Sequence, residues 1–163
     1  MSQTTQAKAQ VDGGGTQSVP KPALVLGFAG LIPFVALSAA IVLGSDDLAS
    51  GARPVLFGYA IAILSFMGGV HWGLAMADAS DKPGREVWRR YGISVLPALA
   101  AVVALLLAPQ LQFVWLTACF AALLAYDLKV SARGETAAWY PALRWPLTIV
   151  VCLCLGAVSL LQN

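Results

Sequence analysis

Apolar residues run along this chain in long blocks, unlike the alternating or three-to-four spacing of half-buried strands and amphipathic helices. The first block, residues 24–44, is about 31 Å long as an α-helix, which matches the hydrocarbon thickness of a bilayer. Residues 55–77 form a second block of the same kind. The stretch 91–127 is too long for one crossing and is interrupted only at Pro109-Gln110, so it divides into spans at 91–108 and 111–127 joined as a tight hairpin. A fifth block, 141–161, opens on Pro141, whose missing N–H costs little at a helix start. The pattern predicts an all-α, polytopic integral membrane protein with five transmembrane helices in a bundle.

Charge placement then sets the expected threading. Lys8 and Lys21 precede the first span, Lys82, Arg85, Arg89 and Arg90 separate the second from the third, and Lys129, Arg133 and Arg144 flank the junction of the fourth and fifth. With five spans these regions share one face, and Arg53 is the only one of the ten basic residues on the other. Basic residues near span ends favour the cytoplasmic side, so the N-terminus is expected inside and the C-terminus outside.

Composition agrees: 59% of positions are hydrophobic, 11% are charged and mean hydropathy is +0.77, outside the range of a solvated globular surface. The lipid bilayer is therefore the expected surrounding. A net charge of +2, dispersed along the chain, gives no electrostatic footprint for a nucleic-acid partner. Residues 1–22, with a triple glycine and two prolines, are expected to form a disordered polar tail ahead of a single five-helix domain over 23–163. The apolar run that follows is long enough to be a retained span instead of a cleaved secretory signal.

No catalytic motif is present, and a single histidine rules out a zinc site of ordinary ligand count within one chain. Cys119, Cys152 and Cys154 lie in apolar blocks, and on a helix Cys152 and Cys154 point about 200° apart, so they do not chelate one ion. Met67 and His71, four apart, are the nearest approach to a soft-metal or haem pair, yet methionine is common filler in apolar helices. No catalytic, cofactor or metal residues are assigned.

The second span carries the most information. In LSFMGGVHWG, Ser65, Gly69 and Gly73 repeat every four residues and predict a groove for close approach of another helix backbone, with this span central. Gly68, within a turn of His71, leaves room for the imidazole or a neighbouring helix. His71 lies about 10 Å of helix rise before Asp78. Asp127 is expected to end the fourth span on the same face, with Arg144 one turn into the fifth. His71, Asp127 and Arg144, with Trp72, Trp139 and Tyr140, are therefore expected near one cytoplasm-side pocket, an Asp127–Arg144 ion pair offsetting the cost of charge near hydrocarbon. Snorkelling of both charges to water, and aromatic anchoring at the interface, account for the same residues without a pocket. Lys82, Arg85 and Arg89, beside Trp88 and Tyr91, suit anionic headgroups.

Through LSFMGGVHWG, SVLPAL at 94–99 and AWYPALRWPLT at 138–148, the chain resembles the family that includes transmembrane protein 69, small multi-span proteins of unknown function. Met67 stands where leucine is expected in that pattern. The resemblance spans roughly 24–161 and implies a bacterial inner membrane, or the mitochondrial inner membrane for a eukaryotic source; it carries no catalytic residues. An accessory or assembly factor packing against a larger membrane partner or itself as a homo-oligomer is the favoured reading. A small proton-linked transporter or channel using His71 and Asp127 is the alternative, and a single histidine with no recognisable nucleophile gives an intramembrane enzyme little to build with.

Reporter cysteines replacing Ser2 and Ser80 are expected to resist an impermeant reagent applied outside intact spheroplasts; labelling at either overturns the assigned orientation.

Overall fold

A computed structural model describes residues 18–77 and 84–161, so the expected N-terminal tail lies mostly outside the described residues. The described residues form helices α1 (Lys21–Ala29), α2 (Leu31–Leu43), α3 (Asp46–Ala77), α4 (Gly84–Leu106), α5 (Pro109–Ala132) and α6 (Tyr140–Leu160), with no strand among them. Helices α1 and α2 together make one span, so five segments are long and apolar enough to cross a membrane. Helix dominates because hydrocarbon offers backbone groups no alternative hydrogen-bond partner.

Each helix departs from the apolar blocks for a local reason. Pro33 has no N–H to offer the Ala29 carbonyl, and α1 gives way to α2 at Gly30, where Tyr59 Oη donates to the Gly30 carbonyl at 2.9 Å. Helix α3 starts nine residues before the expected 55, because Ser45 Oγ caps the Leu48 N–H at 3.5 Å and Asp46 and Asp47 occupy the electropositive first turn. Helix α4 begins at Gly84 instead of 91, its added turns laced by Glu86 with Arg89 and Arg90. Helix α5 continues five residues beyond Asp127, the expected end of the fourth span. Gly134, at φ +72°, closes it: Gly134 N–H bonds the Ser131 carbonyl and Glu135 N–H the Val130 carbonyl, a Schellman turn. Arg90 pairs with Glu135, tying that turn to the start of α4.

Helix α3 is central, packing on α2, α4 and α5, while α6 closes the bundle against α5, α2 and α1. Phe34 and Phe120 meet edge to face, as do Phe57 and Phe113, among fully buried Leu56, Leu64, Leu116 and Leu155. The expected close approach falls on a different glycine. A Cβ at Gly68 would lie 2.6 Å from the Ser94 carbonyl and 3.5 Å from Pro97, whereas at Gly69 or Gly73 it would meet nothing within 4 Å. The Ser65–Gly69–Gly73 face is thus rotated outward: Gly69 and Gly73 are exposed and Ser65 is half-buried.

Gly68→Ala is expected to lower stability by about 1–3 kcal/mol through backbone overpacking. Gly69→Ala, open on its Cβ side, is expected to be neutral or favourable by up to about 1 kcal/mol from helix propensity. Unfolding in mixed micelles measures both; equal losses would place the α3–α4 contact elsewhere.

Candidate buried charge site

Three ionisable side chains from three helices converge inside the bundle. Asp127 of α5 is fully buried, at 0% exposure. His71 Nε2 of α3 donates to its Oδ1 at 2.7 Å, and Arg144 Nε of α6 donates to its Oδ2 at 2.6 Å. An ionised carboxylate only accepts, so the imidazole carries its proton on Nε2 and keeps a lone pair on Nδ1. The site lies about one to two turns inside the ends of α3, α5 and α6 on the face that carries the basic loops. Snorkelling is not the outcome: Arg144 is buried with Asp127, and the pair's charges cancel within the bundle.

Burying an isolated carboxylate in a low-dielectric interior costs tens of kcal/mol by ion-solvation arithmetic, so Asp127 is tolerated only with its cation. The Asp127–Arg144 pair is formally neutral, so no charge on His71 is needed for that balance. Arg144 Nη1 rests on Met67 Sδ at 3.6 Å, so the methionine faces a guanidinium and His71 Nε2 faces a carboxylate. Both atoms of the soft-metal pair weighed above are engaged elsewhere. Among the described residues no group of three or more His, Cys, Asp or Glu is arranged to hold a metal ion.

Tyr126 packs edge-on against the imidazole at 5.0 Å. The Tyr140 hydroxyl is buried beside the Asp127 carboxylate but closes no hydrogen bond of ordinary geometry. Trp139 stacks edge-on with Tyr140 at 6.2 Å, at the mouth of a cleft between α1, α3 and α6. Trp72 turns away, 45% exposed, and meets Tyr91 at 4.7 Å. Of the expected cluster, His71, Asp127, Arg144 and Tyr140 come together with Trp139 nearby, while Trp72, Ser65, Gly69 and Gly73 do not join them. Lys82 lies outside the described residues, and Arg89 pairs with Glu86.

Three cavities border the cluster of His71, Asp127 and Arg144. On the His71 side, a cavity of about 240 Å³ between α3, α4 and α5 is walled by Leu64, Pro97, Cys119 and Tyr126. On the Arg144 side lie a cleft of about 550 Å³ bordered by Thr136 and Trp139 and, sharing its Leu26, Met67, Arg144 and Leu147 walls, a smaller one of about 140 Å³ bordered by Thr148 and Phe34. Tyr126 and Thr148 escaped the sequence reading, although Thr148 sits one turn beyond Arg144 as Tyr140 sits one turn before it.

Comparison with known proteins places these residues within a wider set. Residues 19–160 match a family described as "Protein of unknown function (DUF3429)". "Transmembrane protein 69" of Xenopus tropicalis is 34% identical over 140 residues, 85% of this chain and 54% of that protein. Its namesake in Mus musculus is 28% identical over 148 residues, 88% of this chain and 58% of that protein. The chain thus spans about half the length of these curated relatives. No solved structure matches it.

Removing one partner of the buried pair strands the other, so Arg144→Leu is expected to cost about 3–5 kcal/mol and sharply reduce abundance. The double variant Asp127→Leu/Arg144→Leu is expected to recover most of that loss in a folding assay; a double variant as unstable as the single one would show that the pair is not a self-contained unit.

Proposed function

The chain belongs to the DUF3429 family of multi-span membrane proteins, and from that premise we propose that it is a small proton-linked carrier whose proton is held at His71. The carrying observation is that a titratable imidazole is hydrogen-bonded at 2.7 Å to a carboxylate already neutralised by Arg144, with a cavity on either side of the group. Were His71 only a helix-packing donor, any amide would serve as well. A histidine adds a second ring nitrogen, Nδ1, that can accept a proton where an amide cannot.

Charge arithmetic gives the coupling. With neutral His71 the three groups sum to zero, and with protonated His71 to +1. A net positive charge in the membrane interior is costly, so the proton is best held when an anion arrives with it, and by linkage each binds more tightly in the presence of the other. The groups facing His71 are Asp127 and Tyr126 on α5 and, across Asp127, Arg144 and Tyr140 on α6; Arg89, Arg90, Arg133 and Glu135 lie around Tyr126 towards the interface. Proton linkage suits an energised membrane, which fits the bacterial plasma membrane or the mitochondrial inner membrane, with the N-terminus inside.

A second reading, an accessory factor assembling with another membrane chain or a second copy, draws on the outward Gly69 and Gly73, which would admit a foreign helix backbone closely. Both readings are tested by His71→Gln, which keeps a neutral donor for Asp127 and removes the titratable nitrogen. The variant is expected to accumulate and associate as the wild type does while losing proton flux in reconstituted vesicles. Equal flux in wild type and variant, or none in either, overturns the carrier; no flux together with a stoichiometric co-purifying membrane partner favours assembly.

A further inference from the structure

Arg144 uses only part of its donor set. Its Nε is given to Asp127 and its Nη1 to Met67, while Nη2 is buried without a partner among the described residues. A carboxylate facing arginine commonly takes two parallel N–H bonds, but Asp127 spends its second oxygen on His71. One turn deeper on α6, Thr148 is 2% exposed and its Oγ1 also lacks a partner. The Arg144 side chain is 8% exposed. Unsatisfied buried donors of this kind cost free energy unless a ligand or water completes them.

Arg144 and Thr148 both border the smaller cleft, and Arg144 also borders the larger one, which shares several of its walls. Beside Arg144 the larger cleft is bordered by the polar Thr136 and Tyr140, and its other walls are apolar: Leu26 and Gly27 of α1, Phe66 and Met67 of α3, and Leu147 of α6. Helix α1 itself buries none of its residues and is jointed at Gly30, so this wall is a thin one facing the bilayer. Gly27 keeps it close to α6, since a Cβ there would stand 3.1 Å from Leu147 Cδ1.

We propose that the cleft between α1, α3 and α6 binds an amphiphilic monocarboxylate of the fatty-acid class, its head on Arg144 Nη2 and Thr148 Oγ1 and its chain along Leu26, Phe66 and Leu147. Arg144 Nη2 and Thr148 Oγ1 offer one donor to each oxygen of a carboxylate, and the Tyr140 hydroxyl, also without a partner among the described residues, borders the cleft beside Arg144. A single negative charge is what one added proton at His71 balances, whereas a doubly charged phosphate beside Asp127 would be repelled. The apolar walls give entry from the bilayer, and since lipid is as apolar as the cleft, selectivity comes from the head. The assignment deepens the carrier reading by naming its anion, but binding is measurable whether or not protons move.

The test is displacement of a fluorescent polyene fatty acid from the purified full chain in neutral detergent. Myristate is expected to compete at least about tenfold better than myristyl alcohol, the margin of a charge-assisted hydrogen bond. Equal competition reduces the cleft to a greasy groove and overturns the proposal. So does displacement by acetate at the concentration of myristate, which would make the ligand a water-borne anion, or by a single-chain phosphate monoester more strongly than by myristate. Thr148→Val and Arg144→Lys, the latter keeping a cation for Asp127 while losing the spare N–H edge, are expected to erase most of the acid-over-alcohol preference in protein that still melts cooperatively. Folded variants that keep the full preference place the site elsewhere. Wild type that selects myristate but moves no protons retains the site and discards the carrier.

Discussion

The whole bundle is organised around a carboxylate that has no water. Asp127, at 0% exposure, can stay ionised only if a cation and a second donor are delivered to it, and α3 and α6 each deliver one. That requirement fixes relative rotation as well as proximity. Turning any of the three helices by a single residue swings its polar group about 100° from the site, into lipid or apolar core. In hydrocarbon, where apolar faces discriminate poorly between alternative packings, such a contact supplies register that van der Waals contact alone does not.

Less conspicuous polar closures hold the pieces in place for that contact. The turn after α5 is set by the left-handed Gly134 and clamped to α4 through Arg90 and Glu135, which returns the chain so that Arg144, seventeen positions on, faces Asp127. Tyr59 answers the carbonyl at the Gly30 junction. Gly68 lets the α4 backbone approach next to Pro97, drawing α4 against the helix that carries His71. Each device deals with a backbone or charge problem that water would solve in a soluble protein.

The five spans were legible because an apolar block of membrane length is a strong and local signal. Their polar ends were not: the Asp46–Arg53 turns of α3, Gly84–Arg90 of α4 and Leu128–Ala132 of α5 carry charges that look like loop, and they are helical because caps and ion pairs at the interface satisfy them. That error made Asp127 a boundary residue and its surroundings wet. Depth and membrane face left the meeting of His71, Asp127 and Arg144 as one of two readings, beside snorkelling to water; the choice of Gly68 over Gly69 was not legible, because both faces of an apolar helix look alike in sequence and only the neighbour's Pro97 and Ser94 carbonyl distinguish them. Thr148 was hidden for a related reason, since a threonine in an apolar helix commonly bonds its own backbone, and its lack of any partner is visible only in three dimensions.

The jointed first span bears on how the molecule meets bilayers of different thickness. A rigid span of fixed length accommodates a mismatch by tilting as a whole, and a tilt of α2 would drag on Phe34 and the core behind it. Gly30 itself stays right-handed helical, so the span is continuous there, but Pro33 leaves the Ala29 carbonyl without its helical N–H, which makes the junction of α2, with four buried residues, and α1, with none, the natural place for a bend. A bend at that junction meets a thickness mismatch without tilting Phe34 and the core behind α2.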